Sequence, residues 1–317
     1  MPEALRDVYG ESLRRYGLAN DRVVVLDADL ATSTKSVLFG KACPDRFFDV
    51  GIAEANMVSM AAGFAACGYI PFVNTFATFI ASIGAVSAKC LIGYSHLNVR
   101  LMGGNNGLTG GYDGATHHCL DDINVMRGIP GMLVTSPCDP VQMDWLVQTL
   151  IDDYRGPAYV SISRMGAGPV YKAGERFTLG KAKRVCAGAD ATVFACGLSV
   201  PRALEAVDRL RQEGLSIALW DMFTLKPLDE EAVRDAARET GAIVAVEEHS
   251  VLGGLGTAVA EVLAESGLAV PFRRVGIRDR YTESGSYPQL VEAFGLGVDA
   301  IADAVRQTVA RKKGARG

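Results

Sequence analysis

The stretch TVFACGLSVPRALEAVDRLRQEGLSIALWDMFTLKPLDEEAVRDAARETGAIVAV, residues 192–246, alternates short apolar runs with amphipathic segments. Short apolar runs predict buried strands, and apolar residues at helical spacing predict amphipathic helices. The predicted order is strand 192–196, helix 201–212, strand 215–219, helix 230–240 and strand 242–246. This strict alternation predicts a parallel α/β sheet.

The same alternation extends to both sides of this stretch. The other predicted elements are helix 3–15, strand 22–27, helix 76–90, strand 98–102, a helix from Pro140 capped by Asp139, strand 158–163, helix 256–264, strand 272–275 and two closing helices. Single cores rarely grow beyond about 250–300 residues, and the chain has 317. The sequence therefore predicts two parallel or mixed α/β domains, 1–167 and 185–317, joined by a linker over 168–184.

The composition excludes several classes of protein. The chain is 49% hydrophobic and 21% charged, with a net charge of -4, which gives no general attraction to nucleic acid or to anionic membranes. Its seven cysteines form no Cys-x-x-Cys pair, which is typical of free thiols in a reducing compartment. No apolar stretch reaches transmembrane length and no signal sequence is recognised, so we expect a cytoplasmic, soluble protein.

Glu54 is a single carboxylate in the apolar stretch VGIAEANMVSMAAGFAA, residues 50–66. The stretch predicts a buried, tightly packed helix that begins after an apolar turn. Burial without a partner disfavours a charged carboxylate, so a protein that keeps one commonly uses it for proton transfer or ligand binding. The alternative is a stabilising acid in the first turn of a helix.

The glycine-rich stretch GGNNGLTGGYDGATHH, residues 103–118, lacks the spacing of phosphate-binding and dinucleotide-binding loops. It ends in Asp113, His117 and His118, and therefore predicts a functional loop, with a flexible surface loop as the alternative. Adjacent histidines rarely ligate one ion, so a histidine metal site is disfavoured. Because ligands bind beyond the carboxyl ends of parallel strands, we expect segments 27–33, 102–118 and 163–164 to converge.

Phe76 and Phe79 have the spacing of one helical face. Such a pair is typical of a core, although an aromatic cofactor ring could also stack there.

Ordered segments along essentially the whole chain resemble the C-terminal half of transketolases, a pyrimidine-binding domain followed by the transketolase C-terminal domain. The segments are Asp27-Ala28-Asp29-Leu30, Gly51-Ile52-Ala53-Glu54, Thr75-Phe76-Ala77-Thr78-Phe79, Asp113-Gly114-Ala115-Thr116-His117, Ser161-Ile162-Ser163-Arg164 and Glu247-Glu248-His249.

The resemblance implies thiamine diphosphate as cofactor. The acid matching Glu54 hydrogen-bonds a nitrogen of its aminopyrimidine ring and helps to remove a proton from the thiazolium carbon. Glu54 and His117 are then the expected catalytic residues. The other expected cofactor contacts are Asp29, Leu30, Ile52, Phe76 and Phe79.

The resemblance also implies a sugar phosphate substrate. Asp113 and His117 match residues that contact sugar hydroxyls, and the expected phosphate-binding positions are Arg6, Ser33, Asn105 and Arg164. Some positions depart from the family: Asn105 stands where a phosphate-binding His is common, Tyr112 where Glu is common, Asn56 where His is frequent, and Ser82 where an aromatic is frequent.

Full-length transketolases hold magnesium and the diphosphate through a Gly-Asp-Gly stretch, which these 317 residues lack. The resemblance therefore implies one subunit of a split transketolase that transfers a two-carbon ketol unit between sugar phosphates. The expected partner is an N-terminal subunit that holds Mg2+ or Ca2+, in a heterotetramer with a homodimeric contact between copies of this chain. The alternatives are a deoxyxylulose-phosphate-synthase-like subunit, a 2-oxo-acid dehydrogenase beta-type subunit, and a non-catalytic regulatory scaffold.

Overall fold

The structure is a computed structural model that describes residues 3–166 and 168–314. The predicted boundary at Ala167 lies outside the described residues. Within these ranges the strands form a seven-stranded sheet in the order β10-β5-β6-β4-β3-β1-β2 and a five-stranded sheet in the order β12-β11-β8-β9-β7. Their bounds are β1 (Val23–Asp27), β2 (Phe47–Asp49), β3 (Ile70–Phe76), β4 (Arg100–Gly104), β5 (Leu133–Thr135), β6 (Ala158–Ser161), β7 (Lys183–Cys186), β8 (Ala191–Ala195), β9 (Ile217–Asp221), β10 (Thr224–Lys226), β11 (Ile243–Ser250) and β12 (Phe272–Ile277).

Helices cover both sheets. They are α1 (Leu5–Leu18), α2 (Ala31–Thr34), α3 (Val37–Ala42), α4 (Glu54–Ala66), α5 (Ala77–Ser82), α6 (Ala85–Ser87), α7 (Asp122–Arg127), α8 (Pro140–Asp152), α9 (Ser199–Gln212), α10 (Glu230–Glu239), α11 (Leu255–Glu265), α12 (Tyr287–Ala293) and α13 (Val298–Gly314). None of the helices in the described ranges is both long and apolar enough to cross a membrane.

The predicted α/β class is confirmed, and both sheets are mixed. Most neighbouring strands are parallel, but β10 pairs antiparallel with β5 and β7 pairs antiparallel with β9. Since β10 follows β9 in the chain, it carries the second half of the sequence into the first sheet. The two halves therefore share hydrogen bonds as well as apolar contacts.

The predicted helix 76–90 is wrong in its start and its continuity. Phe76 ends strand β3, and the helical part begins at Ala77, breaks after Ser82 and continues as α6 and a π-helical segment, Ala88–Gly93. Strand β3 was not predicted, because Pro71 and Asn74 interrupt its apolar pattern. The Asn74 side chain is satisfied inside the sheet, donating to the carbonyls of Leu26 at 3.0 Å and Phe72 at 3.1 Å.

The sequence predicts a buried, tightly packed helix in this segment, but helix α4 is buried on one face only. Met57 and Ala61 pack into the core, whereas Ala55, Asn56 and Gly63 are exposed. The small apolar residues of the open face therefore face solvent in the single chain.

The core follows the period-two alternation of the strands. Val24 and Leu26 of β1 belong to one apolar cluster, and Val23 and Val25 belong to another. The first of these clusters continues into the second half of the chain, where it includes Phe194, Leu255 and Val259.

Asp221 is a fully buried carboxylate between the two halves. Its Oδ2 accepts hydrogen bonds from Gln142 Nε2 at 2.8 Å and from the Tyr171 hydroxyl at 2.9 Å, with Cys138 Sγ at 3.5 Å. Burial raises the pKa of Asp221 from 3.8 to about 7, against the effect of these donors.

The raised pKa of Asp221 predicts a pH dependence of stability. Between about pH 4 and pH 7 the native state holds a proton that the unfolded carboxyl has lost, so the free energy of unfolding falls as pH rises. From about pH 5 to pH 8 the contribution is about 2–3 kcal/mol. Urea unfolding of the Asp221→Asn variant should lack this decrease, whereas the exposed control Asp235→Asn should retain it. Identical pH dependence in both variants would contradict the assignment.

Candidate functional site

The candidate site lies at one edge of the seven-stranded sheet. Strands β2, β1, β3, β4 and β6 are parallel neighbours, so their carboxyl ends meet at this edge. The residues predicted from the sequence follow these ends: Asp29, Leu30 and Ser33 follow β1, Ile52 and Glu54 follow β2, Phe76 and Phe79 lie at the end of β3, Asn105, Asp113 and His117 follow β4, and Arg164 follows β6. The predicted convergence of the three loop segments is confirmed.

Asp27 builds the first loop of the site. Its Oδ1 accepts the Leu30 N–H at 2.7 Å, and its Oδ2 accepts the hydroxyls of Thr34 at 2.8 Å and Ser36 at 2.7 Å. Burial raises the pKa of Asp27 to about 6, while these three donors act in the opposite direction. This role of Asp27 is not predicted above, although an Asp at a strand end followed by hydroxyl residues is a sequence signal for it.

Asp49, at the end of β2, connects this loop to the segment before Glu54. One oxygen, Oδ1, accepts the backbone N–H of Asp29 at 3.1 Å and of Gly51 at 3.0 Å. Asp29 itself has a φ of 61°, a conformation that Asp tolerates better than most residues. Asp29, Leu30, Ile52 and Glu54 thus form one group at the β1–β2 side of the edge.

Glu54 is the first residue of α4 and is only 3% exposed. Within the described ranges no residue donates a hydrogen bond or forms an ion pair to its carboxylate. The predicted burial is therefore confirmed, and the position also satisfies the first-turn interpretation. A buried carboxylate with free acceptor oxygens is suited to a ligand that donates a hydrogen bond.

Three aromatic rings form a wall beside the glycine-rich loop. The rings of Phe76 and Phe79 stack with centroids 5.8 Å apart, and the His117 ring meets the Phe79 ring edge-on at 5.5 Å. The sequence places Phe76 and Phe79 on one helix. This prediction is wrong, because Phe76 belongs to β3. The stacking arises at the bend between β3 and α5.

Arg6, Ser33 and Asn105 line one cleft with Phe76. Arg6 Nη1 donates to the Ser33 carbonyl at 3.3 Å, while Arg6 Nε and Asn105 Nδ2 are buried donors without a partner in the described chain. Unpaired buried donors are costly, so the cleft is suited to a ligand that brings acceptor oxygens. Arg6 lies on helix α1 and not at a strand end, so the rule that ligands bind beyond the carboxyl ends of strands does not predict its place in the cleft.

Arg164 joins the same charged region. Its Nη1 lies 3.1 Å from Asp113 Oδ2, in a pair with both side chains partly exposed. Burial, followed by the positive charge of Arg164, lowers the pKa of Arg6. Two neighbouring guanidinium groups repel each other, and an anion bound between them would relieve this repulsion.

His118 is not open to the site. It is buried, with Nε2 3.1 Å from the Gly111 carbonyl and Nδ1 2.7 Å from the Thr282 hydroxyl, while His117 stays partly exposed. The two histidines therefore have separate environments. Within the described residues no cluster of three or more His, Cys, Asp or Glu is arranged to hold a metal ion.

Comparison with known proteins is consistent with this arrangement. Residues 2–168 match the family model "Transketolase, pyrimidine binding domain", and residues 180–301 match "Transketolase, C-terminal domain". The chain is 38% identical to a putative transketolase C-terminal section of Methanocaldococcus jannaschii, covering 98% of both chains. It is 40% identical to the 6-deoxy-6-sulfo-D-fructose transketolase subunit SqwH of a Clostridium species, covering 97% of this chain and 95% of the relative.

A solved structure described as a split-gene transketolase in an inactive β4 tetramer has a TM-score of 0.89 and 40% identity, covering 98% of this chain and 99% of the other. The matched domains, the relatives and the arrangement of the sheet edge agree with one another, and the chain belongs to the transketolase family.

Proposed function

We propose that this chain is the C-terminal subunit of a split, thiamine-diphosphate-dependent transketolase. It transfers a two-carbon ketol unit between anionic sugars and is active with a separate N-terminal subunit. The single observation that carries the proposal is Glu54, a buried carboxylate with no hydrogen-bond donor in the described chain, at the edge where the site loops meet. The named relatives support the subunit arrangement.

The residues at the sheet edge fit the cofactor family. Thiamine diphosphate, when bound, supplies the electron sink that allows the bond beside a ketose carbonyl to break. Glu54 would hold a hydrogen bond or a proton at a nitrogen of the aminopyrimidine ring. In a site that excludes water, such a hydrogen bond is stronger than in solvent. Phe76 and Phe79 would pack against the ring, and Asp29, Leu30 and Ile52 would complete its surroundings.

The substrate side would use the opposite part of the edge. Asp113 and His117 would orient sugar hydroxyls, and Arg6, Ser33, Asn105 and Arg164 would hold the anionic group. Guanidinium groups bind phosphate and similar oxyanions with paired hydrogen bonds. Asn105 contributes a neutral amide donor here, so the anion is held mainly by the two arginines.

A second chain is required by the proposal. Ile52 is 81% exposed and Val86 is 72% exposed, and both lie close to the open face of α4: Ser87, next to Val86, donates to the Ala55 carbonyl at 3.4 Å. Exposed apolar residues grouped in this way are typical of a protein interface. We assign this face to a second copy of the chain, and the diphosphate and its metal ion to the N-terminal subunit, in a heterotetramer located in the cytoplasm.

Reconstitution tests the proposed function. This chain, mixed with its N-terminal partner, thiamine diphosphate and Mg2+, should transfer a ketol unit from a ketose phosphate to an aldose phosphate, and the chain alone should be inactive. Full activity of the chain alone would contradict the split arrangement. Turnover of pyruvate instead of a ketose would favour a deoxyxylulose-phosphate-synthase-like or 2-oxo-acid dehydrogenase activity.

In the same assay Glu54→Gln should lower kcat by about 100-fold or more, and the exposed Glu265→Gln should not. A fully active Glu54→Gln complex would favour the scaffold alternative.

Arg6→Gln tests the assignment of the anion-binding cleft. Loss of the guanidinium should raise the KM for a phosphorylated acceptor by about tenfold or more and leave the KM for uncharged glycolaldehyde nearly unchanged. The matched control is Arg14→Gln on the same helix, because Arg14 is exposed and pairs with Glu11 at the surface. Equal changes for both acceptors would show that Arg6 does not contact the anionic group. Sulfonated and phosphorylated ketoses can be compared in this assay as donors.

A further inference from the structure

The glycine-rich loop, residues 103–118, is held by the second half of the chain at two separate points. One point is Glu248 on β11, and the other is Thr282 in the segment between β12 and α12. Neither residue belongs to the sheet edge that forms the site. The loop they hold carries Asp113 and His117, which the proposed function places beside the substrate.

Glu248 contacts the beginning of the loop. Its Oε1 accepts the Leu108 N–H at 3.0 Å. Its Oε2 accepts the Tyr287 hydroxyl at 2.7 Å and pairs with the Arg202 guanidinium. Gly107 has a φ of 55°, and a Cβ there would lie 2.7 Å from Glu248 Cγ, so the loop packs directly on this carboxylate.

Thr282 contacts the end of the loop through His118. Burial lowers the pKa of His118, which favours the neutral ring. The Gly111 carbonyl can only accept, so Nε2 carries the ring proton and Nδ1 accepts from the Thr282 hydroxyl. The result is a directed chain of hydrogen bonds from Thr282 through His118 to Gly111.

This chain of hydrogen bonds ends on the turn that presents the substrate-facing residues. Gly111 begins the 3-10 turn Gly111–Asp113, so the anchored carbonyl lies two residues before Asp113. A Cβ on Gly114 would lie 2.6 Å from Ser284 Oγ, so the segment that contains Thr282 also packs against the end of this turn. His117 follows three residues later, beside Phe79.

We infer that Thr282 and Glu248 are positioning residues that fix the glycine-rich loop, and with it Asp113 and His117, for the sugar. They act through His118 and through the Leu108 amide and contact neither cofactor nor substrate. The inference rests on the proposed function, since it assigns them to the substrate side of that site. It gives the second domain a role in turnover in addition to completing the fold.

Thr282→Val tests the inference in the complete two-subunit enzyme, because it removes the hydroxyl and keeps the shape of the side chain. We expect kcat/KM for ketol transfer to fall about tenfold or more. The Kd of thiamine diphosphate should stay within about twofold, because the Glu54 side of the edge is untouched. Backbone amides of residues 111–118 should exchange faster with deuterium than in the unsubstituted protein.

Two further variants separate positioning from general packing. Thr282→Ser keeps the hydroxyl and should restore activity to within about threefold. Thr308→Val makes the same change at a buried threonine of α13, whose hydroxyl donates to the Ala304 carbonyl of its own helix, and should have no effect. Equal activity of Thr282→Val and Thr308→Val would overturn the inference, and so would failure of Thr282→Ser to rescue. Absence of ketol transfer in the unsubstituted complex would overturn the proposed function itself.

Glu248→Gln tests the same inference at the beginning of the loop. It provides the test if the two-subunit complex does not assemble with Thr282→Val. The glutamine side chain has one acceptor oxygen and one donor nitrogen. It therefore cannot accept both from the Leu108 N–H and from Arg202 and Tyr287, so one of these two sets of contacts is lost. We expect a similar fall in kcat/KM with unchanged cofactor affinity. The control Tyr287→Phe removes one donor to Oε2, leaves the Leu108 contact in place, and should retain most activity. A Glu248→Gln complex as active as the Tyr287→Phe complex would contradict the inference.

Discussion

Parallel hydrogen bonding among β2, β1, β3, β4 and β6 is the constraint on which the site depends. It brings five strand ends to one edge, so loops that are distant in sequence lie side by side. Two acids at strand ends then shape the first loops: the buried Asp27 orders the segment after β1, and the exposed Asp49 joins that segment to the one before Glu54. The loops of the site are therefore held by main-chain pairing and by carboxylates that accept their backbone N–H groups.

The sheet edge that carries the candidate site is only partly covered by the described chain. Glu54 is buried but has no hydrogen-bond donor in the described chain, Ile52 is largely exposed, and small residues of α4 face solvent. In the cleft that Ser33 and Phe76 also line, Arg6 and Asn105 keep buried donors without an acceptor in the described part of the chain. The unpaired buried donors are costly in an isolated chain, and a ligand or a second chain that covers this edge would explain these features together.

Much of this arrangement follows from sequence because it depends on local patterns. Apolar runs at 192–196 and 242–246 and the Asp139–Pro140 helix start predict elements directly, and the strand-end rule predicts which loops meet. Strand β3 was not predicted because the polar Asn74 interrupts its apolar pattern, and only the folded structure shows that the Leu26 carbonyl accepts from its side chain. The same error placed Phe76 on a helix. The contacts of Glu248 and Thr282 with the glycine-rich loop were not predicted from the sequence either, because they join residues more than 130 positions apart. Pairing across such distances leaves no periodic signal in the sequence.

Calorimetric titration with thiamine diphosphate and Mg2+ can show whether this chain supplies one half of a cofactor site, as we propose. We expect no saturable binding to this chain alone and tight binding to the mixture with the N-terminal subunit, weakened when the mixture contains Glu54→Gln. Equally tight binding to the isolated chain, or a Glu54→Gln mixture that binds as tightly as the unsubstituted one, would contradict a cofactor site shared between the two subunits.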